Sequence, residues 1–264
     1  MTGSVFTKWL WDSRRSLLGW TLAIVLVGCG YAAFWPTIND PTFAELIENY
    51  PSSLLEAINY TNITTPAGYL SATVYGLVVA VLMTVFAIAA GTRIIAGEEE
   101  AGILDLTLSQ PVSRLKVALQ RFAALAASVL VMVAVFLLAM LAVAAPAQFD
   151  TIPLVNFVAM HLHLWAFTVM FGALAFAIGA ASGRRSFAWG IGGGVAVLAY
   201  AASGIIPQAE GLEWVRDYSA FTWLNGNTPL SNGADPAQVL LMVAVSAVFV
   251  AIGAAAFTRR DIAT

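Results

Sequence analysis

The sequence is poor in charge. Only 10% of its 264 residues are Asp, Glu, Lys or Arg, while 60% are hydrophobic; an ordinary globular domain carries roughly 25% charged residues. So few charges cannot cover a water-soluble fold of this length. Cysteine is nearly missing as well. Cys29 stands alone, which excludes an intramolecular disulfide and a thiolate metal cluster. Charge is absent altogether from six long apolar runs, at 17–35, 70–92, 122–145, 155–181, 187–206 and 239–257. A helix rising about 1.5 Å per residue needs roughly 20 apolar residues to cross a hydrocarbon core of about 30 Å. A single charge at mid-membrane costs about 2.5–3.5 kcal/mol on insertion scales, so six clean windows predict an all-α integral membrane protein with six transmembrane helices. The first run is longer than the apolar region of a signal peptide and no small-residue cleavage site follows it, so it is expected to remain as span 1.

The charges that are present are sorted by side. Lys8, Arg14 and Arg15 precede span 1; Arg93, Arg114, Lys116 and Arg121 lie between spans 2 and 3; Arg184 and Arg185 join spans 4 and 5; Arg259 and Arg260 follow span 6. Of the twelve basic residues only Arg216 falls on the other side, among Glu210, Glu213, Asp217 and Asp235. Basic residues in short loops stay cytosolic. Both termini are therefore expected in the cytosol, with the chain in the cytoplasmic membrane among its lipids. Asp40, Glu45, Glu48, Glu56 and Asp150 also fall on the outer side. The formal net charge of −3 thus combines a basic inside with an acidic outside, which argues against nucleic acid as a partner.

Outside the spans, the 1–16 segment sets Val5, Phe6, Trp9 and Leu10 near one face and leaves Lys8, Asp12, Arg14 and Arg15 polar. It reads as an interfacial helix or as an ordinary positive-inside flank, with tryptophans at headgroup depth. The outer segment 36–69 is too long for an idle connector. Asp40-Pro41 supplies a cap and a first-turn proline for a helix with Phe43, Leu46, Ile47 and Tyr50, and Pro51 stops it. A capping-box pattern at Ser53 and Glu56 opens a second short helix with Leu54, Leu55 and Ile58. In the other outer loop, 207–238, Trp214, Tyr218, Phe221 and Trp223 read as headgroup anchors.

The cytosolic segment 93–121 is the most charged piece of the chain. Glu98, Glu99 and Glu100 precede Ile103, Leu104, Leu106 and Leu108, and Ser113 stands ready to cap the run into span 3. A solvated charge run is the plain reading of the acids. The four aliphatics beside them ask for a partner surface.

Chemistry within the spans is sparse. Ser182 could serve an intramembrane hydrolase only with a histidine base at its own depth, yet His161 and His163 lie about 20 residues away along the same helix, roughly 30 Å. Two residues apart on a helix, the histidines point to opposite sides, and no acid or cysteine stands at ligand spacing beside them; they read as interfacial. An ion-coupled carrier usually keeps an ionisable relay in the membrane, and the spans hold no carboxylate or cationic residue. An energy source outside the chain follows.

The most specific feature is Gly97-Glu98-Glu99-Glu100-Ala101-Gly102, running through Leu104 and Leu108 to Gln110-Pro111-Val112-Ser113-Arg114. With Tyr50-Pro51, Leu54-Leu55, Thr65-Pro66-Ala67-Gly68-Tyr69-Leu70 and the ending Phe257-Thr258-Arg259-Arg260-Asp261-Ile262, it resembles the permease subunits of ABC-2 type transporters over essentially the whole chain. Ser219-Ala220-Phe221 departs from the serine-proline-phenylalanine of many relatives. The resemblance implies a single transmembrane domain over 1–264 that pairs with a second permease subunit, the same or related, above two cytosolic ABC ATPases. Gly97, Glu98, Glu99, Glu100, Gly102, Leu104, Leu108, Gln110, Pro111 and Arg114 would form the coupling helix that receives the ATPase movement. The sequence contains no Gly-x-x-x-x-Gly-Lys-Ser/Thr phosphate loop, so ATP and Mg²⁺ are expected on the partner ATPase, with no cofactor held by this chain and no catalytic residue or metal ligand in it. Gly190, Gly193 and Gly194 in span 5, with Gly192 beside them, would pack against the partner's span 1, or else within the subunit. Tyr75, Met83 and Thr84 are candidates for the translocation path. The implied function is export of a hydrophobic or amphiphilic substrate by alternating access; service in envelope or metal-cofactor assembly is the alternative that keeps the fold.

Overall fold

The computed structural model describes residues 4–40, 51, 54–55, 63–109 and 111–260. Among them no strand forms, and six helices are long and apolar enough to cross a membrane. They are α1 Val5–Ala32, α2 Pro66–Glu100, α3 Arg114–Ala144, α4 Leu154–Ser182, α5 Arg185–Gly204 and α6 Pro236–Arg259. Each covers most of the charge-free run that predicts it, with α1, α3 and α5 ending one to three residues before the run does. Several overshoot that run, because hydropathy marks the apolar stretch while backbone hydrogen bonding continues into the charged flanks.

The overshoot changes two expectations. No break separates the 5–15 segment from span 1: one helix, capped by the Ser4 hydroxyl accepting from Thr7 N–H, runs through both. At the other side of the first outer segment, α2 continues past Thr92 to Glu100, so Arg93 and the three glutamates ride on the end of a span helix instead of on a separate loop helix. Within α2 two stretches, Leu70–Val78 and Arg93–Gly97, are π-helical. Such segments widen the turn and re-aim side chains. The two short outer helices expected between Pro41 and Ile58 lie largely outside the described residues, as do Gln110, Asp261 and Ile262.

α4 is the centre of the bundle, packed against α2, α3, α5 and α6. Most of its side chains are buried all round, including Phe157, Phe167, Phe171 and Phe176, and a helix apolar on every side belongs in such a position. Close approach of α2 to α4 requires Gly91, since a Cβ there would collide with the carbonyl of Gly172. The outer helices α1, α5 and α6 keep Leu18, Leu22, Leu26, Val197, Leu198, Leu240 and Val248 exposed. In a soluble protein such surface would aggregate. In a membrane protein it faces lipid or a second subunit.

Aromatic rings fill the remaining volume. Tyr75, Phe136 and His161 meet with centroids 5.3–5.8 Å apart, and Phe221 enters the cluster of Phe167, Phe171 and Tyr200. Phe221 is buried and plugs the core, contrary to the anchor role its sequence neighbourhood suggests. Trp214 and Tyr218 remain exposed. Both histidines are buried against protein as well. The Nε2 of His163 accepts from the Asp235 N–H at 3.1 Å, so its Nδ1–H donates to the Trp223 carbonyl at 3.2 Å.

Candidate functional site

The basic end of the bundle holds the acidic segment, and its construction starts with the end of α2. Gly102, at φ 66°, reverses the chain; its N–H donates to the Glu99 carbonyl at 3.0 Å and the Ile103 N–H to the Glu98 carbonyl at 2.9 Å. Glycine adopts this left-handed conformation without the steric cost other residues meet, and the paired bonds satisfy carbonyls a helix end leaves open. A short helix, Leu104–Leu108, follows directly. Its faces are unequal. Leu104 is 1% exposed and joins the core, whereas Ile103 and Leu106 are 47% and 70% exposed. Then Pro111 passes the chain to Ser113, whose hydroxyl accepts from Lys116 N–H as the N-cap of α3.

Each of the three acids has a partner inside the subunit. Glu98 pairs with Arg121 of α3 at 2.5 Å, and Arg121 also donates to the Ile94 carbonyl at 2.8 Å and the Thr107 hydroxyl at 3.2 Å. Glu99 forms an ion pair with Arg260 just past α6. Glu100 accepts from the backbone N–H of Arg185 at 2.8 Å, the first residue of α5. Arg114 completes the arrangement from the start of α3, donating to the Arg260 carbonyl at 2.7 Å and the Phe257 carbonyl at 3.5 Å. An acid thus sits at one helix N-terminus and a cation at one helix C-terminus, where open N–H and carbonyl groups favour those signs. Gly183, at φ 69°, closes α4 beneath them; a Cβ there would strike Arg260 and Glu99.

The result is a charge clamp that ties the end of α2 to α3, α5 and α6. Through it the segment that leads into the Leu104–Leu108 helix is joined to three span helices by short charged contacts. Sequence reading singled out the acids and Arg114 but took Arg121, Arg185 and Arg260 only as markers of topology. The signal available was the surplus of arginines at the same end as three consecutive glutamates.

A family model described as "ABC-2 family transporter protein" matches residues 4–262. The chain belongs to the ABC-2 transporter family. Comparison with curated proteins returns no match. The ABC-2 chain is accordingly a multi-pass membrane protein and a transport membrane subunit, of a family that works with ABC ATPase subunits.

Other candidate positions in the ABC-2 chain separate clearly. Gly190, Gly193 and Gly194 have nothing among the described residues of their own subunit within 4 Å of a Cβ built on them, while Gly192 faces Ile88 of α2. Among the described residues, packing within the subunit therefore uses Gly192 alone of the four. Tyr75, Met83 and Thr84 are buried within one subunit; Tyr75 meets His161 Nε2 through its hydroxyl at 3.4 Å, and Thr84 donates to the Ala80 carbonyl at 2.8 Å.

The end opposite the clamp encloses a larger space of about 700 Å³ between the π-helical start of α2 and the 207–238 segment, lined among others by Ser71, Gly76, Thr222, Asn225, Asn227 and Gln238. Asn225 donates from Nδ2 to the Ser71 carbonyl at 2.7 Å. Amides and hydroxyls make up most of the polar lining of this chamber, with Arg216, Asp217 and Asp235 beside them.

Proposed function

We propose that this chain is the permease subunit of an ATP-driven exporter, oriented with its basic end and both termini in the cytosol of a cell's cytoplasmic membrane. Two such subunits, identical or related, stand over two ABC ATPases that carry ATP and Mg²⁺. They move a hydrophobic or amphiphilic substrate by alternating access. The observation that supports this best is the divided face of the Leu104–Leu108 helix: Leu104 is seated in the subunit while Ile103 and Leu106 are left bare beside a charge clamp. An apolar pair held this firmly suits a protein groove. The clamp acids Glu98, Glu99 and Glu100 then act as transmitters behind the contact, and Gly97, Gly102, Leu108, Gln110, Pro111 and Arg114 shape or anchor it.

The test is recovery of ABC ATPase with the tagged full-length chain from membranes. Burying Ile and Leu side chains is worth about 1.5–3 kcal/mol each, so Ile103→Lys with Leu106→Lys is expected to reduce recovered ATPase by about ten-fold or more while the chain stays monodisperse. Wild-type chain that recovers no ABC ATPase would overturn the reading, as would undiminished recovery with the double variant.

A further inference from the structure

A cleft of about 200 Å³ opens between α1, α2 and α5 at the basic end. Its charged lining residues are Arg93 and Arg185, and no carboxylate lines it. Neither guanidinium is ion-paired among the described residues. Three buried polar groups on residues that line the same cleft have no hydrogen-bond partner among the described residues: the Trp9 indole N–H and the hydroxyls of Ser13 and Thr92. Trp9 is 5% exposed, Ser13 3% and Thr92 1%.

Orphans of this kind call for a reason, because buried polar groups in proteins nearly always find partners. Hydroxyls on these span helices have an easy one, the carbonyl a turn earlier. Thr21, Thr73, Thr84, Ser128, Thr168, Ser182 and Ser246 all use it. Ser13 and Thr92 do not. An indole N–H and a guanidinium can only donate, and a hydroxyl can donate as well as accept. The cleft is therefore a concentration of donors and positive charge with no anionic acceptor among its lining residues. Its remaining walls, among them Leu17, Trp20, Phe86 and Trp189, are apolar or aromatic.

We propose that this cleft binds the phosphate headgroup of an anionic membrane lipid, with the acyl chains lying along the apolar walls of α1 and α5. Phosphate oxygens supply the acceptors that Trp9, Ser13 and Thr92 lack, and Arg93 and Arg185 neutralise the charge. Tryptophans at headgroup depth and arginines at the membrane edge fit a lipid better than a free anion. The site requires only that the chain is a membrane protein, and it stands apart from what is transported.

Native mass spectrometry of the purified full-length chain tests this with phosphatidylglycerol, phosphatidylcholine and inorganic phosphate as probes. Retention of phosphatidylglycerol is expected to exceed that of phosphatidylcholine by about twenty-fold, from two near-surface cations. Arg93→Gln with Arg185→Gln should erase the preference, and Trp9→Phe should weaken it, whereas Arg14→Gln with Arg15→Gln should leave it intact. Thermal unfolding of each variant checks that the fold survives; Trp9→Phe, which keeps the ring, reads the site independently of charge. Equal retention of the two lipids, or a preference that persists in the double arginine variant, would overturn the proposal. Displacement of the lipid by millimolar inorganic phosphate would overturn it in favour of a free-anion site.

Discussion

The two ends of the helix bundle are held by different chemistry. At the basic end Glu98, Glu99, Arg114, Arg121 and Arg260 join α2, α3 and α6 through ion pairs and charged donors, and Glu100 holds the first N–H of α5. At the other end most of the joining is done by neutral groups, beside a charged donor, Arg216, whose Nε–H meets the Ser203 carbonyl at 3.1 Å. Asn156 donates to the carbonyls of Leu230 and Ser231 at 2.9 and 3.0 Å, His163 bridges Trp223 and Asp235, and Trp35 packs on Tyr69 and Phe149. Charged contacts act over longer distance and penalise separation more than neutral hydrogen bonds do. Under the proposed function, the end that bears the bare Ile103 and Leu106 is the one suited to transmit a displacement, and the opposite end the one suited to hold a shape.

Cutting the strongest charged link should give the largest effect. Arg121 is buried, so Arg121→Leu strands Glu98 in a poorly solvated position and is expected to cost about 3–5 kcal/mol, read as a lowered thermal unfolding temperature in detergent. Adding Glu98→Leu removes the stranded charge, and the double variant should recover most of that loss. A double variant as unstable as the single one would mean that Arg121 acts through Ile94 and Thr107 rather than through the ion pair.

At the neutral end the corresponding cut is smaller. Asn156→Leu leaves two backbone carbonyls without their donor and should cost about 1–3 kcal/mol. It should leave ATPase recovery unchanged, because no charged contact joins Asn156 to the clamp. Loss of ATPase recovery in this variant would show that the two ends are coupled and would blunt the contrast drawn between them.

The spans were legible because the signal is local: about 20 residues without a charge define a helix wherever the neighbours lie. The acidic segment was legible for a similar reason, as a motif in consecutive residues. Side-chain direction was not. Leu104 and Leu106 are the same residue two positions apart, yet one is 1% and the other 70% exposed, a difference set by how the segment docks on α3 through Thr107 and Arg121. Tyr75 illustrates the same limit. Its hydroxyl meets His161, 86 residues away in sequence, inside the core, a contact no local pattern announces. The π-helical turns of α2 escape sequence reading too, because they shift the helical period without changing composition.

The smallest predicted effect has the most informative sign. Glycine inside a helix is destabilising by roughly 0.5–1 kcal/mol relative to alanine. Gly190 and Gly194 face open space in the single subunit, so Gly190→Ala with Gly194→Ala should leave an isolated subunit as stable as before or slightly more so. If a second permease subunit packs its backbone there, the same two methyl groups hold the helices apart, and the fraction of dimer in cross-linking or mass photometry should fall. Gly91→Ala is the control of opposite sign, since its Cβ meets the Gly172 carbonyl within the subunit and should destabilise the monomer itself. Stabilised monomer with undiminished dimer at Gly190 and Gly194 would place the subunit contact on another face, such as α1 or α6, and would leave the open stripe of α5 to lipid.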